Sequence, residues 1–149
     1  MSKIGTERKY LPEFVFGAID GVVTTFAVVA GVVGASLSSA IILILGFANL
    51  LADGFSMSIS DYLSAKSQNE IYKMHKHHEH IKNPKKTALV TFVSFVVAGL
   101  VPLLSFVLAL FIPFFERFEF QVSIFLTAAA FLIIGAAKGK VVGKYPIRS

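Results

Sequence analysis

An all-α bundle of membrane-spanning helices is the fold this sequence predicts, and three observations carry it. Only 15% of the 149 residues are charged, against 55% hydrophobic, where a soluble domain carries about 25% charge. Mean hydropathy is +0.73. Four apolar windows fall at Phe14–Val33, Ala40–Leu63, Thr87–Phe111 and Phe118–Ala137, and at about 1.5 Å of rise per residue each can cross a hydrocarbon core. No short apolar stretch with a small-residue cleavage site precedes them, so the first is read as a span and not as a signal peptide. The absence of cysteine excludes disulfides and thiolate metal sites.

Taken in order, "KYLPEFVFG" leads into the first helix, with Pro12 expected at the first helical position and Glu13 in the first turn. "GASLSSA" is a short turn to the second helix. "SAKSQNEIYKMHKHHEHIKNPKKT" reads as a polar loop over residues 64–87, with Asn83-Pro84 punctuating the start of the third helix. That helix holds Gly99 and Pro102 in "AGLVPLL", a kink that serves either as a hinge or as packing. "PFFERFE" is a second short turn. The fourth helix carries a face of small residues in "LTAAAFLIIGAAKG" suited to close helix contact. No internal repeat and no separate soluble domain interrupt the chain, so residues 1–149 form one transmembrane unit.

The basic residues orient it. Of 14 Lys and Arg, 13 lie before the first span, between the second and third, or after the fourth, and only Arg117 lies in the other turns. Both termini and the 64–87 loop are therefore expected in the cytoplasm. The net charge of +5 reflects topology and contact with lipid headgroups. It does not point to nucleic acid, because the positive charges are dispersed around hydrophobic spans. Nothing suggests an enzyme or a bound cofactor: there is no nucleophile elbow, phosphate loop or H-E-x-x-H.

The informative residues are polar ones inside the spans. A carboxylate facing lipid costs about 2.5–3.5 kcal/mol on insertion scales, so Asp20, Asp53 and Asp61 should face protein or water. Asn49, Asp53, Met57 and Asp61 recur every fourth residue and form one band down the second helix. Asp20 and Thr24, continued by Ala27 and Gly31, form a band on the first. Gly17 and Gly21 make a G-x-x-x-G that permits close helix approach, which packing alone would explain. Asp20 lies six residues beyond Phe14 and Met57 six before Leu63, so both sit about 9 Å from the same membrane edge. Hard oxygen with soft sulfur suits a borderline divalent metal such as Fe(II), Mn(II), Co(II) or Zn(II) better than Mg or Ca. The plainer reading of Met57 is a core filler. In the loop, "MHKHHEH" offers His75, His77, His78, Glu79 and His80 as metal ligands or proton sensors, though the lysines beside them oppose a cation and a solvated basic loop is the plain alternative.

"DGVVTTFAVVAGVVGA" and "GFANLLADGFSMSISDYLSAKSQ" resemble the vacuolar iron transporter family of Fe(II) and Mn(II) exporters. The resemblance runs through nearly the whole chain. It implies that Asp20 and Met57 are translocation residues, with Asp61 standing where the family often has Glu. It also implies a homodimer with its path along the two-fold interface, and metal leaving the cytoplasm in exchange for protons. The long Glu-rich cytoplasmic domain of eukaryotic members is replaced here by the short loop. The family usually has a fifth helix, and "GKVVGKYPIRS" looks like the junction leading into it. A prokaryotic plasma membrane is the expected location, or a vacuolar membrane in a eukaryote. Two other functions are open to the same residues: proton-coupled export of small organic cations through Asp20 and Asp53, and metal sensing without transport through the His tract.

Overall fold

A computed structural model of the chain describes residues 3–75, 81–112 and 117–142, with side chains from residue 9 to residue 141 within those stretches. Among the described residues there are four helices: α1 (Lys3–Gly34), α2 (Ser39–Met74), α3 (Pro84–Ala109) and α4 (Glu119–Val142). Each is long and apolar enough to span a membrane, and there is no strand among the described residues. The chain is an integral membrane protein built as an all-α polytopic bundle.

The helix boundaries differ from those expected in three places. First, α1 begins at Lys3, which leaves Pro12 inside the helix and not at its start. Pro12 removes one backbone hydrogen bond to the preceding turn, but that turn lies before the apolar window, where water can satisfy the freed carbonyl. Second, α2 does not stop at Leu63 but runs on through eleven further residues to Met74. The segment 64–87 is therefore helical at both ends. At about 1.5 Å per residue α2 is about 54 Å long, well beyond a hydrocarbon core of about 30 Å, and its last turns stand clear of the membrane. Third, α4 reaches Val142 and carries Lys138 within the helix.

The ends are built as local chemistry requires. α1 closes with Leu37 N–H donating to Val32 O (3.1 Å) and Ser36 N–H to Val33 O (2.9 Å). That is a Schellman motif, and it sets Ser36 in the left-handed region at φ 56°. Asn83 caps α3: its side-chain oxygen accepts from the amides of Lys85 (3.0 Å) and Lys86 (3.3 Å), with Pro84 at the first helical position. The return from α2 is fastened by Asn69. Its amide group donates to Lys82 O (2.6 Å) and accepts from Lys82 N–H (3.0 Å).

α3 is the hub, and its most extensive contact is with α1. The contact depends on glycine. A Cβ on Gly17 would lie 2.7 Å from Thr91 O, one on Gly21 would overlap the Phe95 carbonyl, and one on Gly99 would lie 2.9 Å from Gly21 O. The two backbones touch. Around this crossing, Val29, Ile42, Leu50, Phe95, Leu103 and Phe106 form one buried cluster joining α1, α2 and α3. Ala18 and Val22 form another with Ala130 and Ile134 of α4. Pro102 is buried, and its carbonyl accepts from Ser123 Oγ of α4 (2.7 Å), so it serves the α3–α4 packing. A Cβ on Gly31, by contrast, meets open space. Gly21→Ala is therefore expected to cost about 1–3 kcal/mol through overpacking. Gly31→Ala should leave stability unchanged or raise it by up to about 1 kcal/mol. Denaturant titration of both variants in detergent micelles checks the pair, and equal effects would refute the backbone contact.

Candidate functional site

The polar residues of the spans are set by the glycine crossing. With Gly17, Gly21 and Thr25 turned onto α3, Asp20 falls beside that contact and is half-buried. In α2 the core face is Ile42, Gly46, Leu50 and Gly54. Asn49, Asp53, Met57 and Asp61 lie about 60° around the helix from it and are all half-buried. The expected band therefore exists as one edge of the α2 core face. Beyond it, on the side away from the core, Ala48, Ala52, Ser56, Ser60 and Ser64 form an exposed row of small residues.

The band does not share one environment. Asp20 and Asp53 are half-buried on α1 and α2, helices that pack against each other. Met57 packs against the apolar cluster around Leu50 and Phe95, which is the core-filling position weighed for it from sequence. Asp61 accepts a hydrogen bond from Thr91 Oγ1 of α3. Asn49 has its amide nitrogen buried without a partner among the described residues. Thr24 turns its hydroxyl back onto the main-chain carbonyl of Asp20 (2.8 Å). Among the described residues, no three acidic or histidine side chains cluster closely enough to hold a metal.

Asp20 also lines an open hollow of 510 Å³, whose wall is otherwise apolar apart from Lys138 of α4. Lys138 and Thr91 are the two neighbours that sequence reasoning missed. Lys138 lies just past the expected end of its span, and only the continuation of α4 brings it to this wall. Thr91 carried no signal, because helical spacing relates residues on one helix and says nothing of a partner on another. Of the His tract, His75 closes α2, exposed, with Nδ1 3.0 Å from Ile71 O. His77, His78, Glu79 and His80 lie outside the described residues.

The VIT family model matches residues 11–83 and 73–149, two pieces that meet in the connection between α2 and α3. The chain belongs to the VIT family. That is a family of transporters, not of enzymes. The chain is 45% identical over 71 residues to a protein of Toxoplasma gondii named vacuolar iron transporter, a match covering 48% of this chain and 24% of that one. A protein of the same name from Centaurea cyanus is 27% identical over all of this chain and 89% of its own length. Vacuolar iron transporter 1 of Arabidopsis thaliana is 26% identical over 97% of this chain and 79% of its own. The matched stretch is thus about a quarter of some VIT relatives and most of others. The Centaurea alignment runs over 221 positions against the 149 residues here, so that relative holds additional sequence inside the matched region. No solved structure matches the chain significantly.

The Asp61–Thr91 link is open to a direct check. A hydrogen bond to a charged group contributes about 1.5–3 kcal/mol. Thr91→Val and Asp61→Asn should each destabilise the bundle, and a double-mutant cycle should return a coupling of about 0.5–3 kcal/mol. Additive losses would mean the two residues act independently.

Proposed function

We propose that this chain carries Fe(II), with Mn(II) as a second ion, out of the cytoplasm in exchange for protons, along a path at the two-fold interface of a homodimer. The observation that supports the reading is a half-buried carboxylate on each of two adjoining apolar spans, Asp20 on α1 and Asp53 on α2. Two like charges in a medium that disfavours even one are stabilised by a divalent cation or by protons. One carboxylate oxygen cannot hold both, so metal release invites protonation and protonation expels metal. That competition is the minimum an exchanger needs. The names of the relatives, vacuolar iron transporters, support the metal.

A second copy is supported by the surface flanking the acids. Ala48, Ala52, Ser56 and Ser60 on α2, with Ala27 and Gly31 on α1, are small and exposed, the composition that lets helices approach closely in lipid. Docked there, a partner would cover the acidic band and duplicate Asp20 and Met57 about one path. In this arrangement Asp61 stands nearer the cytoplasmic mouth. His75, with His77, His78, Glu79 and His80 next to it in sequence, gathers metal outside. The basic end of the bundle faces the cytoplasm by the positive-inside rule, in a prokaryotic plasma membrane.

The apolar hollow beside Asp20 favours one other reading, export of a small organic cation, and flux assays separate the two. In proteoliposomes with a trapped pH dye, Asp20→Asn should abolish both metal flux and the opposing proton flow. Met57→Leu should cost less than about 1.5 kcal/mol of stability yet shift preference from Fe(II) toward Mn(II). Normal coupled flux through Asp20→Asn would overturn the mechanism. Transport of an organic dye with no metal flux would favour the rival. The topology has its own test, since the chain lacks cysteine. Single cysteines at Ser38 and Ser67, both exposed, should label from opposite sides, with Ser67→Cys reached from the cytoplasm.

A further inference from the structure

We propose that the basic end of the bundle holds an anionic phospholipid, its phosphate among Lys9, Lys82 and Lys85 and one acyl chain lying between α2 and α3. The inference is independent of what the protein transports. It starts from a cavity of 650 Å³ where α1, α2 and the start of α3 converge, lined by Lys9, Tyr10, Tyr62, Asn69, Lys82 and Lys85 among others. A second hollow of 440 Å³ runs from it along the α2–α3 seam, past Phe55, Ile59, Leu89 and Phe92. Tyr62 and Lys85 line both. A polar chamber thus opens into an apolar groove across two shared side chains, and that is the shape and polarity of a phospholipid.

The charges fit an anion. Among the described residues, no carboxylate lines either hollow. Lys82 is paired with Glu13 at 2.7 Å, which anchors it and cancels its charge. Lys9 donates to the carbonyl of Ile81, and its ammonium retains two further protons for an acceptor. The ammonium of Lys85 and the hydroxyl of Tyr62 have no partner among the described residues. Tyr10 is held in place by Asn83 N–H donating to its hydroxyl (3.2 Å). The first amides of α3 are already taken by Asn83, so the attraction comes from the two lysines, each worth about fivefold in affinity for an anionic headgroup.

The depth fits a lipid better than a soluble phosphate. Tyr62 stands where α2 leaves its apolar window, the level at which tyrosines meet the membrane interface. From Tyr62 back to Phe55 the groove descends about 10 Å into the span. Leu89 and Phe55 on its walls are 61% and 63% exposed, a surface that a chain of methylenes would cover. Two aromatic rings and two aliphatic side chains would grip that chain while the lysines fix its head.

Native mass spectrometry of the full chain in detergent, titrated with phosphatidylglycerol, phosphatidylcholine or glycerol phosphate, tests the assignment. Phosphatidylglycerol should bind at one site per chain, at least tenfold more tightly than either other probe. Lys9→Gln and Lys85→Gln should each weaken it about fivefold, while Lys140→Gln, an exposed lysine elsewhere, leaves it unchanged. Ala88→Phe, or Ser58→Leu if that variant loses helicity, should fill the groove and weaken lipid binding without altering glycerol phosphate. Equal binding of phosphatidylcholine, or equal loss with Lys140→Gln, would overturn the site. Equal affinity for glycerol phosphate would overturn the lipid and leave a site for soluble phosphate esters.

Discussion

Everything else in this bundle is placed by the contact of two backbones, α1 at Gly17 and Gly21 against α3 at Thr91, Phe95 and Gly99. In lipid there is no hydrophobic force to press helices together, so close packing must supply the attraction. Removing three Cβ atoms lets the helices meet along their main chains. The cost is that α1 has no freedom in rotation. Once Gly21 faces Phe95, Asp20 must turn away toward α2, and the acid's position is a consequence of the glycine next to it.

The same reasoning explains why α2 can carry a polar band at all. Its core face is again partly small: Gly46 lies under Leu103, and Gly54 under Phe92 and Phe95. Bulk is supplied by α3, and α2 needs only a narrow strip for packing. The rest of its circumference is free for Asp53, Met57 and Asp61 on one flank and for the small-residue row beyond. A helix packed with large residues on both sides would have buried those acids or forced them into lipid. Met57 sits at the junction, touching the apolar cluster on one side while belonging by register to the acidic band. Core packing and a role toward metal are therefore not exclusive readings of it.

How far the sequence could be read follows from which forces act within one helix. The number of spans, their approximate limits, the Asn83 cap and the α2 band all arise from composition or from spacing along one helix, and they were legible. The end of α2 was not. Residues 64–74 are polar enough to read as loop, yet nothing in "SAKSQNEIYKM" breaks a helix, and Asn69 inside it clamps Lys82 thirteen residues onward. Pro12 misled in the opposite sense, because a proline tolerated within a polar turn looks the same as one that begins a helix. The partners Thr91 for Asp61 and Lys138 near Asp20 depend on how helices rotate against one another. That rotation is decided by the glycine contact, which the sequence advertises as a G-x-x-x-G without saying what lies across it.

The two ends of the bundle are held in different ways, and the difference bears on which can move. At the basic end, the Glu13–Lys82 pair, the Asn69 clamp and the Tyr10–Asn83 bond tie α1, α2 and α3 together through the connection. At the other, Ser39 Oγ donates to Glu119 and the second oxygen of that carboxylate is buried without a partner among the described residues. Among the described residues, these side-chain links between helices are more numerous at the basic end. The backbone contact at Gly21 and Gly99 lies between the two ends, and Asp20, one residue from it, is held by that contact and would move least in any rocking of α1 about it.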